Sequence, residues 1–217
     1  MLLTFIAFYL LVSIAIGLYA ARRVHTTADY AVAGRSLPLP VVIATTFATW
    51  FGSETVLGVP ARFIDGGLGA VVEDPFGASM CLVLVGLFFA YRLYQKNLIT
   101  LGDYYRQRFG RNVEVICSGI IIFSYLGWVA AQITALGLVF NLLTQGTLSV
   151  TVGMVLGTLI VLVYTLYGGM WSVALTDLFQ SVVIVAGLIY VAVLATGMAG
   201  GFGAVVSHAA DAGRFQF

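Results

Sequence analysis

Between Glu114 and Asp211 the sequence carries a single residue of the Asp, Glu, Lys and Arg class, Asp177. Apolar residues and glycine dominate the rest of that stretch. So long a run without charge cannot make the surface of a water-soluble domain. The whole chain shows the same bias: 61% of its 217 residues are hydrophobic and 9% are charged, against about 25% charged in an average soluble domain. An all-α integral membrane protein follows. A spanning helix needs about 20 mostly apolar residues. Six runs satisfy this, at residues 2–21, 39–63, 67–91, 113–143, 148–167 and 171–198.

The basic residues set an orientation. Arg22, Arg23, Arg35, Arg92, Lys96, Arg106, Arg108 and Arg111 fall between runs one and two or between three and four, while Arg62 and Arg214 fall on the opposite side. The N-terminus is therefore expected outside, in a bacterial-type inner (plasma) membrane, with the stretch LGDYYRQRFG as a short interfacial helix on the cytoplasmic side. The first run lacks a basic leading segment and is long for a signal, so it reads as a retained span rather than a cleaved one. Net charge is +1, which gives no footprint for nucleic acid. Cys81 and Cys117 lie in apolar runs and read as small buried hydrophobes, not a disulfide.

Four segments are more than anchors. In TWFGSETVLGVP (residues 49–60), Gly52 and Gly58 weaken the helix, Ser53 and Thr55 can bond their own backbone, and Pro60 lacks an N–H. Broken backbone at membrane depth is tolerated where it is buried in protein or lines a watery cavity. Glu54 needs such surroundings too. The pattern fits the discontinuous helix of a transporter; the alternative is a glutamate near the outer interface with glycines serving close packing. Glu73 and Asp74 open the third run, either as an attractor for a cationic ligand or as a solvated helix cap. In the fourth run Trp128 and Gln132 share a face, and Ser124, Thr134 and Asn141 add polar groups; these make a site or interhelical glue. In YTLYGGMWSVALTDLFQ (residues 164–180), a Gly-Gly turn joins two runs almost without a loop. Thr176, Asp177 and Gln180 follow inside the sixth. An intramembrane carboxylate suggests ion handling, with a structural hydrogen-bond anchor as the alternative. No H-E-x-x-H, C-x-x-C or G-x-S-x-G occurs, and the dispersed Glu54, Glu73 and Asp177 make no catalytic constellation. The chain does not read as an enzyme.

On these residues the chain resembles the sodium:solute symporter family. DYAVAGRSLP resembles the family's approach to the second span, LITLGDYYRQRFG its loop after the third, and YTLYGGMWSVALTDLFQSVVIV its signature across the fifth and sixth. ATWFGSETVLGVP looks closest to bacterial members near the choline carriers. The resemblance implies a LeuT-like inverted-repeat fold: a leading helix with its cytoplasmic loop (1–38), a first five-helix repeat with a broken opening helix (39–198), and an extracytoplasmic tail (199–217). It implies sodium as the coupling ion, bound by backbone carbonyls matching Ala48 and Phe51 and associated with the acid matching Asp177. It implies substrate contacts at Trp50, Ser53, Glu54, Thr55 and Trp128. Trp50 departs from the acid of the sodium/proline carriers, and Glu54 would supply the negative charge instead. Asp177 and Glu54 would equally serve a proton-driven carrier.

The second repeat is absent from this sequence, which is therefore expected to be an N-terminal half, incomplete alone. Its expected function is sodium-coupled symport of a small polar solute across the lipid bilayer. The alternative is the membrane sensory module of a symporter-like histidine kinase.

Overall fold

The computed structural model describes residues 2–216, and among these every regular element is helical. Helix α1 (Leu2–Ala21) is followed by the short α2 (Thr27–Val32) and by α3 (Leu39–Trp50). Then come α4 (Val59–Gly66) and a helical stretch Leu68–Gln95, which contains α5 (Ala78–Val85) and α6 (Tyr91–Gln95). Next are α7 (Leu101–Phe109), α8 (Arg111–Leu143), α9 (Val150–Met198) and α10 (Phe202–Asp211). Leu87 is 73% exposed, Phe88 61% and Met198 90%. Apolar surface of this kind suits hydrocarbon and not water.

Helix α9 has 49 residues, so a straight rod would reach about 74 Å, more than twice the bilayer core. It is not straight. Gly169 has φ 48° and ψ −138°, a conformation open to glycine and strained for any residue with a Cβ. The corner falls at the Gly-Gly turn expected between the fifth and sixth runs. The second run differs from a simple span. Helix α3 stops at Trp50, Phe51 and Gly52 are not helical, and a widened turn at Glu54–Gly58 leads into α4. The third run is longer than expected, reaching Gln95. The tail contains α10, because FGAVVSHAAD between Gly201 and Gly213 holds no helix breaker other than Gly203.

Two compact units divide the chain: Met1–Thr45 with Asn97–Phe179, and Thr46–Lys96 with Gln180–Phe217. Two of the divisions fall inside α3 and α9, and the third falls between α6 and α7.

In the first unit, small residues let helices touch. Ala20, Ala33 and Trp171 form a buried cluster, with Val24, Leu37, Met170 and Leu175 around it. The Arg23 guanidinium lies 4.9 Å from the Trp171 ring centroid, a cation–π contact. Ser172 donates its hydroxyl hydrogen to the Gly17 carbonyl of α1. Tyr30 donates to the Thr165 carbonyl at 3.3 Å. A Cβ placed on Gly153 would lie 2.9 Å from the Gly137 carbonyl oxygen, so α8 and α9 meet backbone to backbone. Gly153 and Gly157 form the G-x-x-x-G spacing used for such contacts.

Two capping boxes shape the loops of this unit. Thr26 Oγ1 accepts from the Asp29 N–H at 3.1 Å while Asp29 Oδ2 accepts from the Thr26 N–H at 2.9 Å. Thr100 and Asp103 repeat the arrangement at 3.2 and 2.8 Å. Each box satisfies N–H groups that a helix start leaves open. Arg35 bridges the two loops, donating to Asn97 Oδ1 at 2.8 Å and to the Leu98 carbonyl.

In the second unit the tail is tied to the corner after α4. Gly67 (φ 67°) turns the chain. The Leu68 N–H donates to the Arg214 carbonyl at 2.8 Å, and the Arg214 guanidinium donates to the Asp65 carbonyl at 2.8 Å. The Phe63 and Phe215 rings lie 6.4 Å apart.

Two outcomes are expected. Gly153→Ala lowers stability by about 1–3 kcal/mol, because the added methyl meets a backbone oxygen that cannot give way; detergent-solubilised thermal unfolding measures it. The Thr26 hydroxyl, then the His25 N–H, holds the Asp29 carboxyl below its ordinary value. The Thr100 N–H does the same for Asp103. A carboxyl depressed in the folded state binds fewer protons than in the unfolded state, so stability rises with pH across that window. The contribution is complete above the ordinary Asp value of about 3.9 and disappears as pH falls through the depressed one. Amide exchange over residues 27–32 and 101–109 should accelerate on acidification through that window, and Asp103→Ala should abolish the pH dependence at 101–109.

Candidate functional site

The break between α3 and α4 lies wholly in the second unit. Two glycines, two hydroxyl residues and a proline interrupt the helix within a few residues. One consequence is an exposed backbone acceptor: the Trp50 carbonyl at the last position of α3. Thr55 covers it from the other side of the break, with Oγ1 at 2.7 Å from Trp50 O. The same Oγ1 lies 2.9 Å from Asp74 Oδ2. Asp74 has φ −135° and ψ 119°, the extended conformation that a residue before proline adopts. That conformation opens the Leu68–Gln95 stretch near its start and brings a half-buried carboxylate to the break.

Glu54 and Glu73 meet on Arg62. The guanidinium lies 3.8 Å from Glu54 Oε1 and 3.6 Å from Glu73 Oε2. Glu54 is thus an exposed member of an ion-pair bridge. Phe47 and Phe51 stack with ring centroids 4.5 Å apart, one helical turn apart. Trp50 is 42% exposed, whereas Ala48, Phe51, Ser53 and Thr55 are half-buried.

Asp177 lies in the first unit, two turns after the Gly169 corner. It is half-buried beside the Thr45 hydroxyl of α3 and near Tyr164 on the other side of the corner. Tyr164 is 8% exposed. Tyr9 of α1 stacks on Phe179 at 5.7 Å. Thr176, next to Asp177, is turned inward: it is buried and donates to the Ser172 carbonyl at 2.8 Å. Trp128 also belongs to this unit. It is exposed on α8 and meets Tyr125 edge-on at 6.2 Å. Of its polar companions, Thr134 donates to Ala130 O of its own helix at 2.8 Å, and Asn141 donates to Leu148 O at 2.6 Å. Asn141 therefore closes the α8–α9 turn.

The expected residues accordingly fall into two groups. Ala48, Trp50, Phe51, Ser53, Glu54 and Thr55 share the break, and Asp177 and Trp128 lie in the first unit. Sequence reasoning recognised Asp74 as an acid near the start of a span but not as a partner of Thr55. The signal was present in the Asp-Pro pair, since a pre-proline residue leaves the helical path. It also missed the Arg62 bridge, whose members are separated in sequence.

Residues 30–214 match the sodium:solute symporter family. The chain is 32% identical over 195 residues to the human high affinity choline transporter 1, covering 86% of this chain and 33% of that protein. It is 33% identical over 193 residues to the Drosophila melanogaster high-affinity choline transporter 1, covering 84% and 30%. It is 29% identical over 220 residues to the sodium/glucose cotransporter of Vibrio parahaemolyticus, covering 97% and 40%. The chain thus spans about a third of the length of the choline transporters it matches.

The Arg62 bridge is solvated, with side-chain exposures of 37% for Arg62, 65% for Glu54 and 89% for Glu73. Exposed pairs contribute about 0–1 kcal/mol. Arg62→Ala should leave thermal stability within about 1 kcal/mol of wild type, and any difference should shrink as salt is raised. A larger loss in unfolding experiments would mean that the bridge is buried in the working protein.

Proposed function

The chain belongs to the sodium:solute symporter family, and from that premise we propose that it forms the N-terminal part of a sodium-coupled symporter for a small polar solute. The observation that carries this reading is the helix break at Phe51–Gly52 in a chain whose described residues include four helices long and apolar enough to cross a membrane. Discontinuous helices present carbonyls and half-helix ends at membrane depth, where transporters bind ions and solutes.

Sodium binds at the carbonyls of Ala48 and Phe51, with Asp177 handling the ion on its path. The solute binds against Trp50, Ser53, Glu54, Thr55 and Trp128. The fold is a leading helix followed by the first five-helix repeat of a LeuT-like protein, its N-terminus outside, in a bacterial-type inner membrane, and a second repeat completes the site. Sodium stabilises the state open to the outside, the solute binds the same state, and both are released inward. Each ligand then raises the affinity for the other by the same factor, as linkage requires. Choline and glucose, the solutes named in the relatives, are the first candidates.

The test is radiolabelled sodium binding to the native gene product that carries this sequence. Saturable binding is expected in the wild type, with affinity weakened at least about tenfold (about 1.4 kcal/mol) by Asp177→Asn. Glu54→Gln should spare sodium and impair solute uptake. Absence of saturable sodium binding in the intact wild type would overturn sodium coupling.

A further inference from the structure

The Thr55 hydroxyl stands between two oxygens, Trp50 O at 2.7 Å and Asp74 Oδ2 at 2.9 Å. A threonine hydroxyl has one hydrogen to donate, so it can fully satisfy one of these acceptors at a time. A hydrogen bond to an ionised carboxylate is roughly twice as strong as a neutral one. An ionised Asp74 carboxylate therefore competes with Trp50 O for that hydrogen, and a weaker bond from Thr55 leaves the Trp50 carbonyl a better acceptor at the break. Without that charge, the hydrogen goes to Trp50. The neighbouring charges are otherwise engaged, since Arg62 holds Glu54 at 3.8 Å and Glu73 at 3.6 Å.

We propose that Asp74 is a positioning residue of the helix break, drawing the Thr55 hydroxyl towards itself and so keeping the Trp50 carbonyl open as an acceptor for the transported solute. The proposal rests on the symport reading above and narrows its solute class. An open carbonyl beside a carboxylate selects a group that carries positive charge or donates N–H or O–H. A solute presenting a carboxylate or phosphate at this point would be repelled.

The experiment compares wild type, Asp74→Asn, Asp74→Glu, Thr55→Val and the double variant Asp74→Asn/Thr55→Val in the native gene product. Sodium-driven uptake of labelled choline and labelled glucose into proteoliposomes is measured. Asp74→Asn should raise the half-saturating concentration about tenfold with the maximal rate within about twofold (on the scale of a single charge-assisted hydrogen bond). Asp74→Glu, which keeps the charge, should recover most of that affinity. In the Thr55→Val background Asp74→Asn should change little, because the hydroxyl that would close the carbonyl is gone. An equal cost in both backgrounds, or a fall in maximal rate alone, would overturn the proposal.

A second readout does not depend on transport. Tryptophan carbonyls are labelled with carbon-13, and every tryptophan except Trp50 is replaced by phenylalanine. The infrared band of the Trp50 carbonyl should move to lower frequency in Asp74→Asn and stay in place when Thr55→Val is added. A band that does not move overturns the proposal whatever the uptake result. A moving band without sodium-driven uptake would instead overturn the symport reading and leave the Asp74–Thr55–Trp50 coupling in place.

Discussion

A backbone carbonyl or N–H without a partner costs roughly several kcal/mol in hydrocarbon. That constraint organises this protein. It forces helices wherever the chain spans, and it makes every interruption something the surrounding residues must resolve. The two main interruptions are resolved differently. At Gly169 the chain turns sharply between two long segments, and its neighbours meet α1 through the Ser172–Gly17 bond and α2 through Tyr30. At Phe51–Gly52 the helix loses its register, and the Thr55 hydroxyl stands between the Trp50 carbonyl and the Asp74 carboxylate. The first is a closed corner. The second leaves polar groups available, as a binding site requires.

Packing follows from the same medium. Lipid supplies no hydrophobic force to press one apolar helix on another, so close contact depends on small residues and interhelical hydrogen bonds. In the first unit glycines at 17, 137 and 153 sit where a side chain would collide with a neighbour. Many large apolar side chains, Phe123 and Leu142 among them, are meanwhile exposed. Apart from Asp177 inside α9, charge in this unit lies in the loops, the short helices and the first turn of α8, and two threonine–aspartate capping boxes give α2 and α7 defined starts.

Much of the fold was legible because spans are dictated by length and hydropathy, both local properties. The runs at residues 2–21 and 113–143, the Gly-Gly turn and the amphipathic helix at LGDYYRQRFG could all be read directly. The break at TWFGSETVLGVP was legible for the same reason, as glycine and proline act on their own backbone. Helix α10 was less visible, since a short stretch of small residues carries little periodic signal. The G-x-x-x-G pair and the Thr-x-x-Asp capping boxes were present as patterns and went unread. The Arg62 bridge and the choice of Thr55 as the partner of Asp74 could not be read, because they join residues whose separation matches no local period.

The sequence by itself determined that this chain lies in a membrane, where its helices run and where one of them must break. Those outcomes depend on desolvation and on backbone torsions, which each residue carries with it. The tertiary structure decided which side chains meet at the break. It placed Asp74 on Thr55, turned Glu54 and Glu73 toward Arg62, and set Asp177 beside Thr45. Such pairings depend on how separate segments pack, and a hydrogen bond that turns on tenths of an ångström is fixed only after that packing is complete.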